Sequence, residues 1–172
     1  MTPRPALTDS GVGLRPWRAT DAPALLGATE DREIADWSSF PFHPDLDAVA
    51  AWVQRQVDGT NVSLAVVRPG EDVALGYCAL NGPDRGPDAV TMGYWLVRDA
   101  RGQGLMTPAA RLLADWGFAH GVATRVTLMI RPGNRPSRAV AERLGAHRVP
   151  GEEVALDRRG RQHRMVRYAL TP

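Results

Sequence analysis

The 172-residue sequence contains no lysine, so arginine supplies every fixed side-chain positive charge. It contains one cysteine, Cys78, which excludes an internal disulfide framework. Because Cys78 lies in the apolar run VALGYCAL, we expect it to pack in the core rather than to act as a nucleophile. No apolar run approaches the about 18 residues of a membrane span, and the first residues lack the apolar core of a signal peptide. These absences predict a cytoplasmic protein that does not span a membrane.

Excess charge of one sign is also lacking. The 21 arginines face 19 acidic residues, which leaves a formal net charge of +2. So small a charge does not indicate a nucleic-acid partner, although arginines gathered around one site could bind phosphates. The four histidines are scattered without metal-ligand spacing, so we expect no metal ion.

Patterns typical of strands and helices alternate along the chain. Seven segments have strand character: 12–17, 63–68, 73–80, 89–97, 126–130, 153–156 and 165–170. Four segments have helical character: the stretch after Thr20 and Asp21 that carries Leu25 and Leu26, then 46–57, 105–120 and 134–144. No repeat and no long linker interrupts them. We therefore predict one mixed α/β domain over residues 1–172, with an antiparallel meander formed by the second, third and fourth strands.

The stretch VRDARGQGLMTPAA, residues 97–110, places two glycines between a strand and a helix. Because Gly102 and Gly104 allow backbone conformations that other residues avoid, the turn can leave several N–H groups unpaired and directed outward. The helix that follows adds partial positive charge, and Arg101 adds a full charge at the rim. Pro108 suits the first helical turn, where an N–H has no partner. The pattern predicts a phosphate or pyrophosphate site; the alternative is a tight strand-to-helix turn with no ligand.

Two nucleotide-binding patterns do not fit this stretch. The dinucleotide fingerprint needs a third glycine where Thr107 stands, and it follows the first strand of a βαβ unit, whereas the strands here are predicted to be antiparallel. The Walker phosphate loop needs a lysine, which the chain lacks.

The segment RGQGLM, residues 101–106, resembles the pyrophosphate loop of the GNAT acetyltransferase superfamily, Arg/Gln-x-x-Gly-x-Gly/Ala, with a departure at Met106. Residues 92–151 follow the family's order, from MGYWLV through VTLMI to RPGNRPSRAVAERLGAHRVPG. The opening LRPWRATDAPALL and the final MVRYAL resemble the branch that acetylates protein N-terminal amines, including those of ribosomal proteins. The resemblance therefore covers nearly the whole chain.

This resemblance implies a mostly antiparallel sheet of about seven strands, splayed between the fourth and fifth and flanked by about four helices. It implies an acyltransferase that moves an acetyl group from acetyl-CoA to a primary amine by direct attack. A backbone N–H beside Leu96 and Val97 would polarise the thioester carbonyl. Asn134 would contact the arm of the cofactor, and Ser137 would protonate the leaving thiolate. The cofactor-binding residues implied are Leu96, Val97, Arg101, Gly102, Gln103, Gly104, Leu105, Met106, Thr107, Asn134 and Ser137.

Several of these residues also have purely structural interpretations. Asn134 is a good helix N-cap, and Ser137 could complete the first turn of the same helix. The arginines at 131, 135 and 138 either contact the cofactor's phosphates or form a solvated face. The run DRRGR, residues 157–161, is expected to be an exposed hairpin turn.

The sequence gives less information about the residues that bind the acceptor amine. The aromatic segment DWSSFPFH, residues 36–43, carries Trp37, Phe40 and Phe42, which would form one wall of the acceptor groove or else belong to the core. No spacing singles out a general base. The candidates on the acceptor side are Glu30, Asp31, Glu33, Asp36 and His43.

The acceptor favoured by the resemblance is a protein N-terminal amine. A small-molecule amine, such as an antibiotic or a polyamine, is the alternative within enzymes. A non-catalytic acyl-CoA-binding module is the alternative of another class, because fold alone does not establish function. We expect a monomer or a homodimer, with no nucleic-acid or membrane partner.

Overall fold

Nine strands form one open sheet in the computed structural model, which describes residues 4–84 and 88–172. The strands are β1 Leu7–Thr8, β2 Gly13–Arg15, β3 Val62–Val67, β4 Gly76–Asn81, β5 Ala89–Leu96, β6 Arg125–Ile130, β7 His147–Arg148, β8 Glu153–Leu156 and β9 Gln162–Leu170. Their order is β1-β2-β3-β4-β5-β6-β9-β7, with β8 paired to β9. Neighbours pair antiparallel except β5 and β6, which are parallel. The predicted mixed α/β fold with a mostly antiparallel sheet is confirmed.

Within residues 4–84 and 88–172, four α-helices and two 3₁₀ segments flank the sheet. They are the 3₁₀ segment Ala19–Glu30, α1 Arg32–Trp37, α2 Leu46–Asp58, the short 3₁₀ turn Arg98–Ala100, α3 Met106–Ala119 and α4 Arg135–Arg143. Side chains of Asp31, Asp45 and Asn134 accept backbone N–H groups at the starts of α1, α2 and α4, as expected of N-caps. None of the helices in the described ranges is long and apolar enough to cross a membrane.

All seven predicted strands are present, and the two additional ones are the two-residue strands β1 and β7. Strands that short carry no alternating pattern for the sequence to show. Because β1 precedes the others, the splay lies between the fifth and sixth strands. The first predicted helix is 3₁₀ rather than α, and Pro23 inside it removes one of the N–H donors that an α-helix needs.

Each face of the sheet carries its own core. On one face, α3 and α4 pack Leu113, Ala141 and Leu144 against strand residues. On the other face, the 3₁₀ segment and α2 enclose an aromatic cluster around Trp52. Cys78 is fully buried in the first cluster, and burial raises the pKa of its thiol to about 12, which agrees with a packing role.

The parallel strands β5 and β6 pair only over residues 89–91 and 125–127 and then diverge. The N–H of Val97 donates to the carbonyl of Leu75, 2.8 Å away on the β4 side. Because successive strand residues direct their N–H and C=O groups to opposite edges, Leu96 and Tyr94 direct theirs toward the gap. The gap opens toward the ends of β5 and β6, where α3 begins.

Candidate functional site

The loop between β5 and α3 has the backbone that its two glycines predict. Gly102 and Gly104 have φ values of 72° and 76°, in the left-handed region that disfavours side chains. A Cβ atom added at either position would meet nothing within 4 Å. The glycines are therefore required by the backbone conformation, and the space above them is open.

This loop presents a run of unpaired donors. Within the described part of the chain, no protein acceptor receives the N–H groups of residues 102–107. The last two belong to the first turn of α3, whose N-cap Leu105 provides no capping side chain. Consecutive free N–H groups at a helix N-terminus suit the oxygens of a phosphate or pyrophosphate. The loop therefore has the geometry of a phosphate or pyrophosphate site.

The side chains around the loop differ from the sequence expectation in one respect. Arg101 donates from Nε to the carbonyl of Leu96 at 3.0 Å and from Nη2 to Asp31 at 2.6 Å, so its charge is already paired. Arg68 lies at the rim instead, and its Nη2 donates to Oε1 of Gln103 at 2.7 Å. A contact of Arg101 with phosphate stays a prediction, and Arg68 is a cation that the sequence did not identify.

Met106, where the loop departs from the family pattern, is buried in the core, and so is Leu105. Both side chains therefore lie away from the open space above the glycines. The departure leaves the row of backbone donors intact.

Asn134, Ser137 and Tyr94 meet on the α4 side of the gap. Oδ1 of Asn134 accepts the N–H of Ser137 at 3.1 Å, which confirms the N-cap interpretation. Its amide NH₂ has no partner among the described residues, so it can still donate to a ligand. The Ser137 and Tyr94 hydroxyls lie 2.8 Å apart, and burial raises the pKa of Tyr94 to about 12. Tyr94 therefore stays protonated beside Ser137.

Helix α1 crosses the open end of the gap and is held there by ion pairs. Asp31 pairs with Arg101 after β5, and Glu33 pairs with Arg131 after β6. Asp36 pairs with Arg159 at 3.0 Å and Arg161 at 2.9 Å, both in the turn between β8 and β9. These acids, considered as bases on sequence grounds, are counter-ions in the structure. Neither Glu30 nor His43 has a contact with another described residue that marks it as a base.

The three aromatic residues of the acceptor segment do not lie together. Phe40 is 3% exposed and packs against Trp52 and Trp95 at ring distances of 5.0 and 4.9 Å, so it is a core residue rather than a wall. Trp37 and Phe42 are half-buried. The ring of Trp37 contacts His163 edge-on at 5.0 Å, and the guanidinium of Arg32 lies 4.9 Å from the ring of Phe42.

The DRRGR segment forms the turn of the β8–β9 hairpin, and residues 158–161 are exposed, as the sequence predicts, whereas Asp157 is buried and the turn also contacts α1. The N–H of Arg158 donates to the carbonyl of Asp36 at 3.0 Å, and the side chain of Asp157 is fully buried. Burial alone would raise the pKa of Asp157. Hydrogen bonds from His163, from the side chain and N–H of Arg161 and from the N–H of Arg159 outweigh it and hold that pKa well below its usual range.

The two remaining arginines near α4, Arg138 and Arg135, lie in different environments. Arg138 donates to the Tyr168 hydroxyl and the Pro132 carbonyl, each at 3.2 Å, so it serves the packing of α4. Arg135 is exposed. In the described ranges, no group of three or more His, Cys, Asp or Glu side chains is arranged to hold a metal ion.

The chain matches a known protein family. Residues 12–147 match the family described as the acetyltransferase (GNAT) domain. Over 119 residues the chain is 28% identical to YdaF of Bacillus subtilis (strain 168), provisionally named a ribosomal N-acetyltransferase. That match covers 69% of this chain and 64% of YdaF, less than two thirds of the relative's length.

Two solved structures share the fold. A GNAT-family acetyltransferase from Bacillus anthracis has a TM-score of 0.82 at 17% identity, covering 97% of this chain and 98% of that one. RimL, a ribosomal L7/L12 α-N-protein acetyltransferase in complex with coenzyme A, has a TM-score of 0.79 at 20% identity, with the same coverage of 97% and 98%. At these identities the likeness concerns the fold alone.

Proposed function

We propose that this chain, which belongs to the GNAT acetyltransferase family, transfers an acetyl group from acetyl-CoA to the α-amino group of a protein N-terminus. One observation carries the proposal. The unpaired N–H groups of residues 102–107 and the Asn134–Ser137–Tyr94 group border the same gap between β5 and β6.

On the donor side, acetyl-CoA supplies an acetyl group as a reactive thioester. The backbone of residues 102–107 would hold the pyrophosphate, and the arm would extend along the free edge of β5. The N–H of Leu96 faces that edge and suits the role of donor to the thioester carbonyl. The N–H of Val97 is already bonded to Leu75, so Val97 would contact the arm through its carbonyl or its side chain.

Ser137 would donate a proton to the thiolate that leaves when the amine attacks. Tyr94 can donate to the Ser137 oxygen and thereby turn the Ser137 proton toward the gap. Two intact hydroxyl groups at this position argue against a module that only binds acyl-CoA.

On the acceptor side, the ion pairs of α1 bear on the choice between amines. A polyamine site needs uncompensated carboxylates, whereas Asp31, Glu33 and Asp36 each face an arginine. An α-amino group, with an ordinary pKa of about 7.7–8.0 against about 10.4 for lysine, is also easier to deprotonate. YdaF is provisionally named a ribosomal N-acetyltransferase, which is in keeping with a protein acceptor.

Steady-state thiol release from acetyl-CoA with a panel of amines tests the proposal. The panel contains peptides with free N-termini, the same peptides with blocked N-termini, spermidine and small aromatic amines. We expect turnover with the free peptides only, and mass spectrometry should locate the acetyl group on the α-nitrogen. Turnover with spermidine or a small amine alone would establish the alternative acceptor. Binding of acetyl-CoA without turnover of any amine would establish the non-catalytic module.

We treat residues 1–172 as one catalytic domain, acting as a monomer or a homodimer. We place it in the cytoplasm, in keeping with a cysteine that is buried and unpaired.

A further inference from the structure

A histidine that the donor chemistry does not use lies at the acceptor side of the gap. His163 stands on β9, and Nε2 of its ring lies 2.9 Å from Oδ2 of Asp157. Its Nδ1 has no protein partner among the described residues. The side chain is 24% exposed, so the ring can be approached from solvent.

The position of His163 follows from strand register. The last pair between β6 and β9 joins Ile130 to Val166, so His163 lies on the part of β9 that extends beyond β6. Beyond the same end of β6, Arg131 places its guanidinium 5.4 Å from the ring of Trp37. Trp37 in turn contacts His163 edge-on. The imidazole therefore lies beside α1, at the open end of the gap.

The groups around the imidazole are fixed in charge and position. Asp157 accepts the N–H groups of Arg159 and Arg161 as well as Nε of Arg161, so it is held as an anion and cannot turn away. From α1, Asp36 balances Arg161, and the Arg131–Glu33 pair lies near Trp37. Among the described side chains of this cluster, the imidazole is the one whose neutral form offers an unprotonated nitrogen.

We propose that His163, oriented by Asp157, accepts the proton that the acceptor ammonium loses before it attacks the thioester. The inference rests on the proposed acetyltransferase function and deepens it by assigning the general base. His163 is the catalytic residue in this assignment, and Asp157 is the positioning residue. An aspartate that holds one ring nitrogen fixes the tautomer with the other nitrogen unprotonated.

The proton balance is complete with groups already described. Nδ1 of His163 takes one proton from the ammonium, directly or through one water, and later releases it to solvent. The freed lone pair forms the C–N bond, the C–S bond breaks, and the electron pair leaves with sulfur. The second proton lost by nitrogen replaces the one that the Ser137 hydroxyl gives to the thiolate. The products are the amide, the free thiol and one proton.

The test is the pH dependence of kcat/KM in the full chain with His163→Gln. Glutamine keeps a donor toward Asp157 but has no basic nitrogen. We expect a loss of about 10²-fold or more at pH about 6.5, where most of the α-amino group is protonated. The loss should shrink toward pH about 9.5, where the amine is already neutral. His163→Asn provides a second variant if the first is unstable.

The matched control is His120→Gln. His120 ends α3 on the other face of the sheet, stacked on Trp116 at 4.9 Å, and should leave the profile unchanged. A loss of equal size at every pH in both His163 variants would overturn the inference and make His163 a structural residue. Wild-type turnover with no loss in either variant would also overturn it and leave the proposed function standing. A wild type that acetylates none of the amines in the panel would overturn the proposed function itself.

Discussion

At the scale of single residues, the hydroxyl pair of Ser137 and Tyr94 gives the clearest prediction about chemistry. Ser137→Ala should lower kcat by at most about 10²-fold, because a thiolate is a good leaving group and needs only modest help. The Kd for acetyl-CoA should stay nearly the same. Single-turnover kinetics and calorimetric titration measure the two quantities.

Tyr94→Phe serves as the companion variant. It removes the hydroxyl that lies 2.8 Å from Ser137 and leaves the ring packing, so its loss in kcat should be smaller than that of Ser137→Ala. An unchanged single-turnover rate in Ser137→Ala would return Ser137 to a structural role in the first turn of α4.

Phe40 and Phe42 form a natural matched pair, because the same substitution should affect different properties. Phe40→Ala removes a ring that is 3% exposed and should lower the free energy of unfolding by about 3–5 kcal/mol. Phe42→Ala should cost much less stability and raise KM for the amine, while acetyl-CoA binding stays intact. Urea unfolding and steady-state kinetics separate the two effects. A large loss of stability in Phe42→Ala would place that ring in the core as well.

Residues whose function depends on neighbours in sequence could be identified from the sequence. Gly102 and Gly104 are examples, and so is Asn134, because a turn and an N-cap are local. Tyr94 and Ser137 are 43 positions apart, and only the pairing of distant elements brings them together. Phe40 shows the same limit, because nothing in its own segment distinguishes a core ring from an exposed one.

At the scale of secondary-structure elements, the loop before α3 leads to a prediction about acetyl-CoA binding. Backbone strain alone would not produce the expected loss of affinity. Gly104→Ala forces a side chain into a left-handed conformation, at a cost of about 1–2 kcal/mol, and extends a methyl group into the open space above the loop. We expect weaker acetyl-CoA binding in a folded protein, measured by calorimetric titration.

Gly121→Ala is the control for that variant. Gly121 has a φ of 66° and open space around its Cβ position, but it lies just after α3, at the far end of the helix from the loop. It should lose a similar amount of stability and keep its affinity for acetyl-CoA. Equal affinities in the two variants would refute the pyrophosphate assignment.

The elements themselves could be predicted where periodic patterns or caps marked them, as for α2 and α4. The contact between the 157–161 turn and α1 could not, because it joins segments that are distant in the sequence. That contact depends on Asp157 receiving four hydrogen bonds and on Asp36 pairing with two arginines. The candidate site was therefore predictable on its donor side and largely unpredictable on its acceptor side.

At the scale of the whole molecule, Asp157 links stability to pH. Its pKa in the folded protein is depressed below the ordinary value of 3.8, so its stabilising contribution is present above that value. The contribution is lost as the pH falls through the folded value. Asp157→Asn should therefore be clearly less stable than wild type at pH about 7, and the difference should shrink at pH about 3. Urea unfolding at both pH values measures it.

The exposed residue Asp115, on α3, provides the comparison. Asp115→Asn should change stability little at either pH. A difference between wild type and Asp157→Asn that stays constant down to pH about 3 would mean that shape, rather than charge, accounts for the effect of Asp157.

The divergence of β5 from β6 also divides the protein mechanically. The strands on either side share only the short pairing of 89–91 with 125–127, so a force or a thermal fluctuation can open the sheet there with few amide bonds lost. A molecule bound in the gap would form hydrogen bonds with both strands where they no longer pair, and it would thereby connect the two halves of the sheet. Deuterium exchange at Leu96 and Met129, whose N–H groups face the gap, should then slow together when acetyl-CoA is added, although the two residues belong to different halves of the sheet.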